Sequence, residues 1–179
     1  GEELRDFIFD NFWKNMTCVE TVDPKDETKT IVNGDMTEKA IYLYLKDQKY
    51  KLEGNRKGDF ILPFKSDYKY MMSIYKKEDG NGYILYAKGA PERVAEFFTK
   101  FLDKDGNSAD FKEHEKAFYH QQSEYAENSI RTLVFGYKDL TEEQIEEAKN
   151  EFPDCDLPFF QKLAADLTFT FMVGIRDNN

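Results

Sequence analysis

The chain has 179 residues, 40% hydrophobic and 16% aromatic, which suits one domain with a sizeable core. Its formal net charge of −10 argues against a nucleic-acid or anionic-membrane surface, because both require a basic field. Any anionic ligand must therefore be held by local cations working against the global field.

The first stretch, "EELRDFIFDNFWKN", sets Leu4, Phe7, Ile8 and Phe12 at helical spacing. "ETVDPKDETKTIVNGD" is polar and reads as a loop, and its charged, Thr-rich composition predicts disorder from Glu20 to Asp35. "MTEKAIYLYLKDQ" predicts a second helix, with Thr37 as a cap and Ala40, Ile41, Tyr44 and Leu45 as its apolar stripe. "KLEGNRKGD" is a loop. "FILPF" and "YKYMMSIYKK" are strand-like, "EDGNG" is a turn cluster and "YILYAK" returns, so the last two strands form a hairpin. "PERVAEFFTKFL" predicts a helix, with Pro91 at its first position and Glu92 in its first turn, closed by the turn "DKDGN". "FKEHEKAFYHQQSEYAENS" predicts a long polar helix with Phe111, Phe118, Tyr119, Gln122 and Tyr125 on one face. "IRTLVFGYKDL" is a strand. Thr141 ahead of Glu143 and Gln144 is a helix-start signal, and "ADLTFTFMVGI" alternates as a closing strand. Strands and helices do not alternate regularly, so the expected fold is α+β, a twisted, largely antiparallel β-sheet flanked by helices.

No apolar run approaches the about 20 residues of a membrane-spanning helix, and no signal peptide is legible. Cys18 and Cys155 match no metal-ligand spacing and read as reduced thiols of a cytosolic domain. His114 and His120 fall in one polar helical run. There is no nucleophile elbow and no phosphate-cradling glycine loop. The many carboxylates mostly lie on helix faces, where charge runs are solvated.

A small set of positions remains. Lys88 stands where a strand turns into a helix, beside the flexible Gly89. Phe64 follows Pro63 at a strand end, where its ring can project into a cleft. Lys69 and Met71, spaced by two on the next strand, point to one face. Arg131 starts a later strand, and Thr37 and Glu38 open the second helix. Taken singly, each has an ordinary explanation: a core phenylalanine, a gap-filling methionine, an arginine paired with one of many acids. Together they suit a nucleotide. An aromatic ring stacks on adenine for roughly 1–3 kcal/mol. A glutamate accepts from an exocyclic amine, and lysine and arginine meet ribose or phosphate oxygens. No general base or metal ligand accompanies them, so the set holds a nucleotide without reacting it.

Five segments carry a resemblance: "GDMTEKA", "LPFKSDYKYMMS", "YAKGAPE", "SIRTLVFGYKDL" and "FMVGIRD". Their order and approximate spacing resemble the nucleotide-binding (N) domain of P-type ATPases, nearest to the calcium-transporting pumps. The likeness runs from about Asp35 to Asp177, and the leading helix also fits. "KGA" is diagnostic of that family. "TEKA" resembles its T-E-x-A motif, and Phe64, Ser66, Lys69 and Met71 fall on its F-x-S-x-x-K-x-M-S pattern. The resemblance implies that Phe64 stacks on adenine and Glu38 takes its amino group. It places Lys88 with Gly89 deep in the pocket, Lys69 beside base or phosphates, and Arg131 at ribose or phosphates.

The chain departs from the family pattern at three places. Tyr68 stands where an arginine is common, Met72 where serine follows the methionine, and Asn178 where the closing segment has proline. "RTLVFGYKDLTEE" also resembles the lipid-flipping branch, whereas "TEKA" and "KGAPE" favour the cation branch. The phosphorylation motif with its D-K-T-G core and the actuator loop are missing from the sequence. The expectation is one N domain over residues 1–179, excised from a larger membrane ATPase and sitting in its cytoplasmic headpiece. Its partners would be ATP and the phosphorylation and actuator domains of the same chain. Mg2+ would enter only as Mg-ATP with the phosphorylation domain. Such a domain binds ATP and turns nothing over by itself. A lipid-transporting pump, or an interaction domain that kept the fold and lost the ligand, are the alternatives.

Overall fold

A computed structural model describes residues 2–53 and 56–176. Helix α1 (Glu2–Lys14) forms as expected but buries Phe9, Phe12 and Trp13, while Leu4, Phe7 and Ile8 of the predicted stripe are only half-buried. A short hairpin follows, β1 (Val19–Asp23) and β2 (Asp26–Asn33), then α2 (Met36–Asp47). Strands β3 (Phe60–Leu62), β4 (Tyr70–Lys76) and β5 (Tyr83–Gly89) lead to a one-turn helix, α3 (Pro91–Val94). The chain continues through β6 (Phe98–Leu102), β7 (Ser108–Asp110), α4 (Phe111–Glu127), β8 (Arg131–Leu140), α5 (Glu142–Glu151), α6 (Leu157–Leu163) and β9 (Leu167–Ile175).

The main sheet has seven strands in the order β3-β4-β5-β8-β9-β6-β7. Every neighbouring pair is antiparallel except β6 with β9. The α+β, largely antiparallel architecture expected from the sequence is therefore the observed one. Each face of the sheet buries its own cluster. Met72, Ile74, Leu85, Ala87 and Val134 pack with Phe98, Phe118, Phe159 and Phe160 on one side. Phe135 meets Phe9, Phe12, Trp13, Ile41 and Leu45 of α1 and α2 on the other. Because side chains alternate across a strand, Ser73 and Tyr75 of β4 turn to the α1 side, where they bond Asn15 and the Lys14 carbonyl.

Four expectations need correction. The stretch from Glu20 to Asp35 is no disordered loop but mostly the β1–β2 hairpin, paired from Val19↔Asn33 to Asp23↔Asp26. Its Thr, Val and Ile residues are good strand formers, and side chains tie across it, Asn33 to Thr21 at 2.8 Å and Thr30 to Glu20. "PERVAEFFTKFL" is helical only over α3 and one 3₁₀ turn, Ala95–Phe97, before it becomes β6. There Phe98 meets Phe111, Phe118 and Phe169, so tertiary packing overrides local helix preference. Tyr44 does not join the buried stripe of α2, whose inward residues are Glu38, Ile41, Tyr42 and Leu45. Thr37 does not cap that helix: Asp35 does, accepting from the Glu38 amide at 2.8 Å. Thr141 does what was expected, forming a reciprocal capping box with Gln144. Helix α6 was not anticipated. Asn178 lies outside the described residues.

Candidate functional site

The start of β4, the end of β5 and the start of β8 meet at one end of the sheet, since Tyr70 pairs with Gly89 and Gly89 with Val134. The N-terminus of α2 covers this end. Lys88 lies in register with Met71 on one side and Phe135 on the other, so all three side chains face α1 and α2. The Lys88 side chain is 8% exposed and its Nζ donates to Glu38 Oε1 at 2.7 Å. Burial pulls the Lys88 ammonium below the ordinary lysine range, and the facing Glu38 carboxylate works against that shift.

Glu38 is 7% exposed and has a second tether. The Thr17 hydroxyl donates to Oε2 at 3.0 Å, and the Thr17 amide reaches Oε2 at 3.2 Å and Oε1 at 3.3 Å. A buried carboxylate thus has a cation on one oxygen and a hydroxyl on the other, the pairing a buried charge requires. Asn15 locks the adjoining strand, donating to the Met71 carbonyl at 3.3 Å and accepting from Ser73 at 2.9 Å. Neither Thr17 nor Asn15 stood out in the sequence. They follow α1 without a motif, and Thr17 lies 21 residues from the carboxylate it holds. Cys18 is fully buried beside them, and burial first, then Glu38, pushes its thiol pKa up.

The loop between β3 and β4 forms the lip. Phe64 is 55% exposed there, and Ser66 is also exposed. The loop is closed by the Lys69 amide on the Lys65 carbonyl at 2.7 Å and by the Tyr68 hydroxyl on the Pro63 carbonyl. Lys69 does not lie on β4. It precedes the strand with φ 63°, exposed, so the spacing of two that joined it to Met71 on one face does not apply. Tyr68, where an arginine was looked for, is buried against Tyr70 and staples the loop. Met72 is wholly buried in the opposite core.

Gly89 is not a flexible hinge. It ends β5, and a Cβ there would come 2.5 Å from the Lys69 carbonyl oxygen and 2.6 Å from Tyr70 Cβ. Its missing side chain lets the lip close onto the strand end, where the Ala90 amide bonds the same Lys69 carbonyl at 3.0 Å. Arg131, exposed at the start of β8, donates to Thr37 Oγ1 at 3.0 Å, which draws it to the mouth of α2. The structure thus joins Lys88, Glu38 and Met71 in one buried group, brings Arg131 to its rim through Thr37, and sets Phe64, Ser66 and Lys69 on the adjoining loop. A cleft of about 660 Å³ is lined by Thr17 together with Trp13, Glu20, Tyr42, Arg56 and others, and none of the eight candidates lines it. Among the described residues no group of three or more His, Cys, Asp or Glu side chains could hold a metal ion, and no helix is long and apolar enough to cross a membrane.

Fold and site together define an α+β domain with a buried lysine–glutamate floor and an exposed aromatic lip at one end of its sheet. The sequence profile of the family described as "P-type ATPase, cytoplasmic domain N" matches residues 4–179, and the chain belongs to that family. Human sodium/potassium-transporting ATPase subunit alpha-3 is 35% identical over 134 residues, 72% of this chain and 13% of the relative. The subunit alpha-A of Artemia franciscana is 35% identical over 91 residues, covering 49% of this chain and 9% of the relative. Calcium-transporting ATPase 1 of Saccharomyces cerevisiae is 31% identical over 118 residues, covering 65% and 11%. The chain therefore spans about a tenth of the length of these relatives.

Proposed function

We propose that this domain binds ATP and presents it to a phosphorylatable aspartate in a separate domain of a larger cation-transporting P-type ATPase, as part of that protein's cytoplasmic headpiece. The observation that carries the reading is the buried Lys88–Glu38 pair at the same end of the sheet as the loop that bears the half-exposed Phe64. Nothing in a stable core asks for an ion pair at a strand end, because two charges leave water at a cost that an apolar pair avoids. In this reading Phe64 stacks on the base and Glu38 accepts from its exocyclic amine. Lys88 and Gly89 close the pocket floor, while Lys69, Ser66 and Arg131 face ribose and phosphates, and Met71 fills beneath them. The bound nucleotide supplies the transferable phosphoryl group. Mg2+ arrives with it and is held together with the phosphorylation domain. These residues bind and orient; they include no phosphate acceptor.

The "TEKA" and "KGAPE" motifs favour a cation over a lipid as the cargo, and calcium as that cation is supported by relatives such as the yeast calcium pump. The sodium/potassium pumps among the relatives make a monovalent cargo the competing assignment. The interaction-domain alternative rests on Tyr68, Met72 and the acidic balance of the chain; of these, Tyr68 staples the β3–β4 loop and Met72 is buried in the opposite core. Calorimetric titration of the chain with ATP, alongside Phe64→Ala, tests the reading. Saturable binding that weakens about tenfold or more in the variant is expected. No binding at millimolar ATP to demonstrably folded protein would overturn it. So would ATP hydrolysis that survived both Lys88→Ala and repeated purification.

A further inference from the structure

We propose that Thr17 is a specificity-determining residue of this site, setting its preference for a 6-amino purine over a 6-oxo purine. The inference rests on the reading that Glu38 faces the base. A lysine and a glutamate at one spot are ambiguous toward a purine. The carboxylate accepts from a 6-amino group, and the ammonium donates to a 6-oxo group. Which of the two meets the base depends on which is held back.

The geometry answers that. Lys88 Nζ is turned toward Glu38 and gives one of its three N–H donors to Oε1 at 2.7 Å. Thr17 grips the other oxygen with its hydroxyl at 3.0 Å and its amide at 3.2 Å. Both Thr17 groups are donors, and they fix where the Glu38 oxygens stand. The Glu38 backbone is itself anchored, its amide on Asp35 Oδ1 at 2.8 Å. Lys88, the Thr17 hydroxyl and the Thr17 amide, which is shared between the two oxygens, are three donors to a carboxylate with about four acceptor positions, and a ligand amine supplies the fourth. Without the hydroxyl, Oε2 loses a donor and the side chain gains freedom to rotate with Lys88. The floor then offers ammonium as readily as carboxylate, and discrimination falls. A hydrogen bond to a charged group is worth roughly tenfold in an equilibrium constant, so the expected loss is about that size.

The test measures dissociation constants of ATP and GTP for the wild-type chain, Thr17→Val, Thr17→Ser and Glu38→Gln. Thr17→Val keeps the shape and the amide and removes only the hydroxyl. It is expected to reduce the GTP-to-ATP ratio of dissociation constants about tenfold, and Thr17→Ser to restore it. An unchanged ratio in folded Thr17→Val, with Glu38→Gln altering it, overturns the role of Thr17 alone. An unchanged ratio in Glu38→Gln overturns the reading of Glu38 and this inference with it. If Thr17→Val does not fold, the wild-type Thr17 amide resonance decides. It is expected to shift on saturation with ATP and to stay near its free position with GTP; equal behaviour with both nucleotides overturns the proposal.

Discussion

Two glutamate–lysine pairs of nearly equal length occupy different settings in this molecule. Lys88 and Glu38 meet at 2.7 Å with side chains 8% and 7% exposed. Lys46 and Glu20 meet at 2.6 Å with side chains 52% and 21% exposed. Distance does not separate them, and solvent does. The exposed pair closes the side of the β1–β2 hairpin and is screened by water and salt. The buried pair holds two charges that neither can release without stranding the other. A fold keeps such a pair at a cost in stability.

Breaking the buried pair is expected to have the largest effect. Lys88→Ala leaves Glu38 in a dry site with only the Thr17 donors, and about 3–5 kcal/mol of stability should go, read from the urea midpoint. Gly89→Ala comes next. Its Cβ would meet backbone of the lip at 2.5 Å, and overpacking of that kind costs about 1–3 kcal/mol by the same measurement. Lys46→Ala sharpens the contrast: removal of the exposed partner should cost under about 1 kcal/mol, and less in high salt. A loss equal to that of Lys88→Ala would erase the distinction drawn from burial. Phe64→Ala should leave stability within about 0.5 kcal/mol while weakening nucleotide binding, since the ring is half exposed.

The smallest effect is one of pH. The hydrogen bond from Lys46, then that from Thr30, holds the Glu20 carboxyl down at about 2, below its usual 4.5. A depressed folded-state pKa contributes stability that is present above pH 4.5 and lost as pH falls toward 2. The hairpin should therefore loosen in acid before the sheet does, visible as weaker protection of the Thr30 amide, measured relative to its intrinsic exchange rate at each pH, below pH 4.5 than at pH 7.

The sheet was legible wherever pattern and turn chemistry agreed. The "EDGNG" turn between apolar strands announced the β4–β5 hairpin, and Thr141 with Gln144 announced α5. Legibility failed where a long-range partner decides the local state. Phe98 belongs to a strand because β9 and three phenylalanines receive it, and nothing local says so. Residues 20–35 looked too polar to order, but a two-stranded hairpin can be built from cross-strand Thr, Asn and Glu contacts with little burial. The candidate residues stood out in the sequence because they sit on recognisable spacings. Thr17 and Asn15 were not, since their roles exist only once α1 is laid against β4 and α2.

The central claim is that nucleotide binds where the buried lysine–glutamate floor meets the Phe64 lip. A ¹⁵N-labelled sample titrated with ATP and followed by amide chemical shifts tests it most directly. Saturable shifts concentrated at Thr17, Glu38, Phe64 to Lys69, Lys88, Gly89 and Arg131 are expected. Shifts gathered instead around Trp13, Tyr42 and Arg56, or none at millimolar ATP, would contradict it.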